Sequence, residues 1–199
     1  MYEYHIEGGI PIKGTVKASG NKNAALPCIA ACLLTDQPVI LRNLPEIEDM
    51  QVMIEIYSAL GGTVENLEPN AYRFHMPDNP RTTIPLDLSR KIRASILCAG
   101  PLLARAGKAV LPPPGGDVIG RRRLDTHFLA LTELGARVDI DGQFTFTANK
   151  LKGQDIFLDE ASVTATENAI MAAVLAEGTT VITNAASEPH VQDLCRMLN

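Results

Sequence analysis

Several large classes of protein are argued against by what this chain does not contain. It has no surplus of basic residues: 18 Lys and Arg stand against 23 Asp and Glu, for a formal charge of −5. That balance speaks against wholesale nucleic-acid binding and makes the run Arg121-Arg122-Arg123 a local feature on an acidic background. No apolar run reaches the roughly 20 residues that cross a bilayer, so no membrane insertion is expected. The start, Met1-Tyr2-Glu3-Tyr4-His5, lacks the charged-then-apolar pattern of a secretory leader. Cys28, Cys32, Cys98 and Cys195 include no Cys-x-x-Cys pair and lie in apolar, helix-like surroundings. They read as reduced core residues of a cytoplasmic protein, not as a disulfide framework or a metal set. His5, His75 and His190 stand alone, without metal-ligand spacing.

What is present is concentrated in Pro112-Pro113-Pro114-Gly115-Gly116-Asp117, followed by Val118-Ile119-Gly120, the three arginines, Leu124, Asp125, Thr126 and His127. Prolines restrict the backbone and glycines free it, which predicts a shaped loop. Arginine forks suit phosphates and carboxylates, and a carboxylate beside an anion site can donate or accept a proton. From this stretch alone, a surface loop with a solvated charge run remains an equal reading.

The chain also repeats itself. Leu60-Gly61-Gly62-Thr63-Val64 recurs as Leu134-Gly135-Ala136-Arg137-Val138, each ending a helix and returning as a strand. Ile40-Leu41-Arg42-Asn43 matches Val181-Ile182-Thr183-Asn184 at a shift of 141, and Lys22-Asn23-Ala24 resembles Glu167-Asn168-Ala169. A middle copy begins near Arg93-Ala94-Ser95. In the first unit the pattern predicts a strand over 14–18, a helix over 23–34, a strand over 38–41, a helix over 47–60 and a returning strand over 63–65. The first helix of each unit is apolar nearly all round and should be buried. The expectation is an α/β lobe of repeated βαβαββ-type units with pseudo-threefold symmetry around buried helices. Asn199 corresponds to Ser58, so the third unit is expected to be truncated and the chain to be the N-terminal part of a longer protein.

Ser19-Gly20-Asn21-Lys22-Asn23-Ala24-Ala25-Leu26-Pro27 resembles the N-terminal signature of the UDP-N-acetylglucosamine 1-carboxyvinyltransferases, enolpyruvyl transferases that start peptidoglycan synthesis. The resemblance continues, in order, through Arg93-Ala94-Ser95, Gly100-Pro101-Leu102, Pro114-Gly115-Gly116, Leu124-Asp125 with His127, Ala176-Glu177-Gly178-Thr179-Thr180 and Glu188-Pro189. It implies two lobes with substrates between them, residues 1–20 serving as a strand of the second lobe and crossover, and residues 21–199 forming most of one lobe. It further implies transfer of the enolpyruvyl group of phosphoenolpyruvate to the 3′-hydroxyl of UDP-N-acetylglucosamine, with no metal and no cofactor. A missing C-terminal lobe would complete the cleft, and this segment alone would be inactive.

The resemblance assigns Lys22 and Arg122 to phosphoenolpyruvate, Asn23 to the sugar nucleotide and intermediate, and Arg93 to the phosphate side. It assigns Leu124, Asp125, Ser162 and Val163 to the nucleotide. By residue type alone, Lys22 snorkelling and Arg93 in a surface ion pair remain alternatives. Asp117 falls where many members carry Cys and some Asp; its implied role is proton donation to C3 or help in product release, and the alternative is a turn cap. Glu160 replaces a basic residue, Thr164 replaces a glycine, and His127 reads as a loop anchor beside Asp125 rather than a base. The competing functions are the shikimate-pathway enolpyruvyl transferase and an inactive, truncated nucleotide-sugar-binding lobe.

Overall fold

The computed structural model describes residues 3–116 and 123–199. Residues 3–20 form no helix or strand, and most are exposed. The strand expected over 14–18 is therefore not formed: a strand needs a ladder for its N–H and C=O groups, and no partner lies alongside among the described residues.

Order begins at α1 (Lys22–Ala31), where the Asn21 side chain caps the helix by accepting from Asn23 N at 2.7 Å and Ala24 N at 3.2 Å. Pro27 lies inside α1 and has no N–H to offer the Asn23 carbonyl one turn back. A 3₁₀ turn (Cys32–Leu34) leads to β1 (Val39–Leu41), α2 (Glu48–Ala59) and the hairpin β2 (Thr63–Glu68) and β3 (Ala71–His75). The middle unit contains α3 (Leu86–Ser89), a 3₁₀ helix (Arg93–Cys98) running into α4 (Ala99–Ala106), β4 (Lys108–Leu111), α5 (Asp125–Glu133) and the hairpin β5 (Arg137–Ile140) and β6 (Phe144–Thr147). Then come β7 (Asp155–Phe157), α6 (Val163–Ala173), β8 (Val181–Thr183) and α7 (Pro189–Leu198).

Two sheets share one plan. The second strand of each hairpin is central and antiparallel to both neighbours, in the orders β1-β3-β2 and β4-β6-β5. The third sheet is β7 parallel to β8, the two ends of a strand–helix–strand crossover through α6. The leading strand of the repeat is thus realised as β7 in the third unit and as a single parallel bridge, Thr83 to Val110, in the second.

The repeat holds at the level of single hydrogen bonds. At the end of α2, the amides of Leu60, Gly61 and Gly62 donate to the carbonyls of Ile56, Ser58 and Tyr57. At the end of α5, those of Leu134, Gly135 and Ala136 donate to Ala130, Thr132 and Leu131, the same set 74 residues on. Gly61 and Gly135 take φ of 103° and 100°, left-handed backbone that favours glycine. Asn43 and Asn184, paired by the shift of 141, both sit at positive φ, 59° and 57°.

The apolar first helices form the centre, as expected. α1 packs on the 3₁₀ helix, and that helix and α4 pack on α6. Each second helix then packs on the first helix of the next unit: α2 on the 3₁₀ helix, α5 on α6, and α7 back on α1. That cyclic order is the pseudo-threefold arrangement. At Gly100, α4 comes so close to α6 that a Cβ would lie 2.5 Å from the Asn168 carbonyl oxygen.

Candidate functional site

The cyclic packing brings helix N-termini to one place. α1, α2, the 3₁₀ helix, α6 and α7 all begin on the wall of a cavity of about 890 Å³. The first turns of helices carry amide groups without intrahelical partners and the positive end of the peptide dipoles. Several such ends facing one volume favour an anion there.

Cationic side chains share the wall. Lys22, the first residue of α1, donates from Nζ to Asp49 Oδ2 at 2.8 Å, and its side chain is 50% exposed. Arg93 opens the 3₁₀ helix and donates from Nη2 to the Arg123 carbonyl at 3.1 Å. Arg123 also lines the cavity and holds the Asp125 carboxylate, with Nε to Oδ2 at 2.7 Å. Ser162 caps α6, its hydroxyl accepting from Ala165 N at 3.4 Å, and Val163 follows as the first residue of that helix.

Of the residues expected from sequence, Lys22, Asn23, Arg93, Ser162 and Val163 therefore meet on one wall. Leu124 and Asp125 do not line it. Leu124 packs against the core just before α5, and Asp125 is engaged by Arg123, which takes the place on the wall. Asp117 and Arg122, with Arg121, lie outside the described residues.

His127 differs from its expected role. It is 1% exposed and is bonded to Asn168 and Thr164, on α6, rather than to Asp125. Burial, reinforced by the positive charge of Arg93, pushes its pKa down to about 3, so the ring is neutral. It anchors α5 to α6 instead of anchoring a loop.

Sequence reasoning missed Asp49, Glu167 and Glu188 on the wall. Asp49 reads as an ordinary acid in a helix's first turn, and nothing local points to Lys22, 27 residues away. Glu167 did carry a signal: it is the one charged residue of α6. It is 1% exposed, and its Oε1 has no hydrogen-bond partner among the described residues. Burial first, and Glu188 second, push its pKa up to about 8. Neighbouring Cys28 is pushed up to about 11 by burial, then by Asp193 and Glu167, so it is no thiolate nucleophile.

An α/β lobe of cyclically packed repeats, with helix N-termini and side chains of both charges around one cleft, defines an enolpyruvyl-transferase type of fold. Residues 6–199 match the family model described as EPSP synthase (3-phosphoshikimate 1-carboxyvinyltransferase), and the chain belongs to that family. Among its relatives, the UDP-N-acetylglucosamine 1-carboxyvinyltransferase of Treponema denticola is 70% identical over 199 residues, covering 100% of this chain and 47% of that protein. The enzyme of the same name from Treponema pallidum is 66% identical, covering 98% of this chain and 46% of that protein. The chain thus spans about half the length of the curated relatives it matches. Among solved structures, the enolpyruvyl transferase NikO from Streptomyces tendae superposes with a TM-score of 0.80 at 25% identity, covering 96% of this chain and 45% of that one. EPSP synthase from Acinetobacter baumannii, at 18% identity, TM-score 0.71, and 90% and 42% coverage, shares the fold.

Proposed function

We propose that this chain is the N-terminal part of a cytoplasmic enzyme that transfers the enolpyruvyl group of phosphoenolpyruvate to the 3′-hydroxyl of UDP-N-acetylglucosamine and releases phosphate, the first committed step of peptidoglycan synthesis. The observation that carries this reading is the meeting of Lys22, Asn23, Arg93, Ser162 and Val163 where five helices begin. High identity to relatives bearing that enzyme's name supports it, and four free thiols fit a cytoplasmic setting.

In the proposed reaction, C3 of phosphoenolpyruvate gains a proton while the sugar hydroxyl oxygen bonds to C2 and gives up its own proton. The resulting tetrahedral intermediate loses a proton from C3 and phosphate from C2, which restores the double bond on the transferred group. Phosphoenolpyruvate carries its negative charge on carboxylate and phosphate oxygens, and the phosphate gains more as its bond to C2 breaks, so fixed cations and helix amides are useful at those oxygens. Lys22 and Arg122 hold phosphoenolpyruvate, Asn23 bonds the sugar nucleotide and intermediate, and Arg93 lies on the phosphate side. Ser162 and Val163, with Leu124 and Asp125, receive the nucleotide; since Leu124 and Asp125 sit off the wall, their contact requires movement at the start of α5. Asp117 donates the proton to C3. A C-terminal lobe supplies the opposite wall, and residues 1–20 belong to its sheet. The alternation of Tyr4, Ile6, Ile10, Ile12 and Val16, each 72–99% exposed, fits one apolar face of a strand.

Titration of the full-length protein tests this reading. UDP-N-acetylglucosamine should bind and, with phosphoenolpyruvate, release phosphate, whereas shikimate 3-phosphate should do neither. Turnover of shikimate 3-phosphate would assign the chain to the other branch of its family.

A further inference from the structure

The hydrogen bonds around His127 have a direction that can be read from donors and acceptors alone. Gly100 N–H can only donate, and it lies 2.8 Å from Asn168 Oδ1. The Ile96 carbonyl can only accept, and it lies 2.8 Å from Asn168 Nδ2. These two contacts fix the orientation of the Asn168 amide. Its Nδ2 also lies 2.9 Å from His127 Nδ1, so it donates there and Nδ1 is the unprotonated nitrogen. The neutral ring then carries its hydrogen on Nε2, which lies 3.2 Å from Thr164 Oγ1 and donates to it. Thr164 is left with a hydroxyl hydrogen of its own, and no described protein group accepts it.

Thr164 is on the cavity wall, in the first turn of α6. The amides of Val163 and Thr164 have no partner among the described residues, while those of Ala165 and Thr166 are taken by Ser162. On the same wall, Glu167 is 1% exposed with an unpartnered Oε1. The relay itself is buried and closely packed: His127 is 1% exposed, Asn168 is fully buried, and the Gly100 position leaves no room for a Cβ, which would lie 2.9 Å from Asn168 Oδ1.

We propose that Thr164 is a further substrate-binding residue, its hydroxyl hydrogen aimed by His127 and Asn168 at a phosphate oxygen held at the N-terminus of α6. Thr164 touches the ligand, whereas His127 and Asn168 are positioning residues. A phosphate oxygen fits because the unpartnered amides and the helix dipole favour negative charge at that point. Identifying the ligand as the diphosphate of a nucleotide sugar rests on the proposed function; the direction of the hydroxyl does not.

The test uses the full-length protein with Thr164→Val, which keeps the shape and removes the hydroxyl, and Thr164→Ser, which restores it. Calorimetry with UDP-N-acetylglucosamine and with pyrophosphate should show binding weakened about tenfold or more in the valine variant, the scale of a hydrogen bond to a charged group. Serine should stay within about threefold of the unmutated protein. In turnover, KM for the nucleotide sugar should rise while kcat stays within about twofold, since the bond is not at the reacting carbon. Nitrogen NMR of His127 should report the Nε2–H tautomer. Unchanged affinity for both probes in Thr164→Val, or an Nδ1–H tautomer, overturns the inference. If the unmutated protein ignores UDP-N-acetylglucosamine but Thr164→Val still loses pyrophosphate, the proposed function fails and this inference stands.

Discussion

Lys22 and Asp49 lie 2.8 Å apart with both side chains substantially in water. Exposed pairs of this kind are worth about 0–1 kcal/mol, so an incoming anion can displace the carboxylate at little cost. In the full-length protein, Lys22→Ala should lower turnover about a hundredfold or more, the scale of a lost charge partner, while Asp49→Asn should stay within severalfold. Steady-state kinetics of the two variants separate a substrate cation from a structural ion pair. Glu167 gives a pH dependence of unusual sign. Its carboxyl is raised from an ordinary 4.5 to about 8 in the folded chain, so between those values the folded state binds a proton that the unfolded state has released. This contribution is most favourable to folding below pH 4.5, is lost progressively as pH rises to about 8, and then levels off. Glu167→Gln should flatten that fall, and thermal melts from pH 5 to 8 should reveal it. A carboxylate is a weak nucleophile beside a thiolate, so the full-length protein should resist fosfomycin, an epoxide that alkylates the loop Cys of members that have one. Asp117→Cys should become sensitive while remaining active, and a mass adduct on the unmutated protein would count against this.

The helix and strand repeats were largely legible because the signals are local. The Leu60-Gly61 and Leu134-Gly135 pairs mark helix ends by the backbone that glycine permits, and the apolar run of α1 marks burial. Contacts made across units were not legible. Nothing near His127 in sequence points to Asn168, 41 residues on, and nothing near Leu124 says that Arg123 takes the wall instead. The strand over 14–18 failed for a related reason: alternation marks an apolar face, but pairing depends on a neighbour that local sequence does not specify. Gly100 is the element-scale counterpart, since α4 and α6 touch backbone to backbone there. Gly100→Ala would force the helices apart and disturb the Asn168 amide. It should destabilise the fold by about 1–3 kcal/mol, the usual range for overpacking, with a lower denaturant midpoint and an unchanged slope.

At the scale of the whole molecule, the proposed function makes the wall built by five helix starts one side of a reaction vessel. The chain spans about half the length of the relatives it matches, and the apolar residues of 3–19 face solvent. Both observations fit a lobe whose partner lobe closes the site. Preorganised charges stabilise a transition state far more strongly when water is excluded, so an open wall should bind anions weakly and catalyse poorly. The 199-residue chain alone should therefore release phosphate from phosphoenolpyruvate and UDP-N-acetylglucosamine at under about one hundredth of the full-length rate, with retained but weaker nucleotide-sugar binding. Adding the remaining half as a separate polypeptide should restore turnover in proportion to complex formed. Within that complex, replacing Ile6, Ile10 and Ile12 with serine should weaken association without touching the cavity wall. Full turnover by the isolated chain would show that one wall suffices and would remove the need for a second lobe.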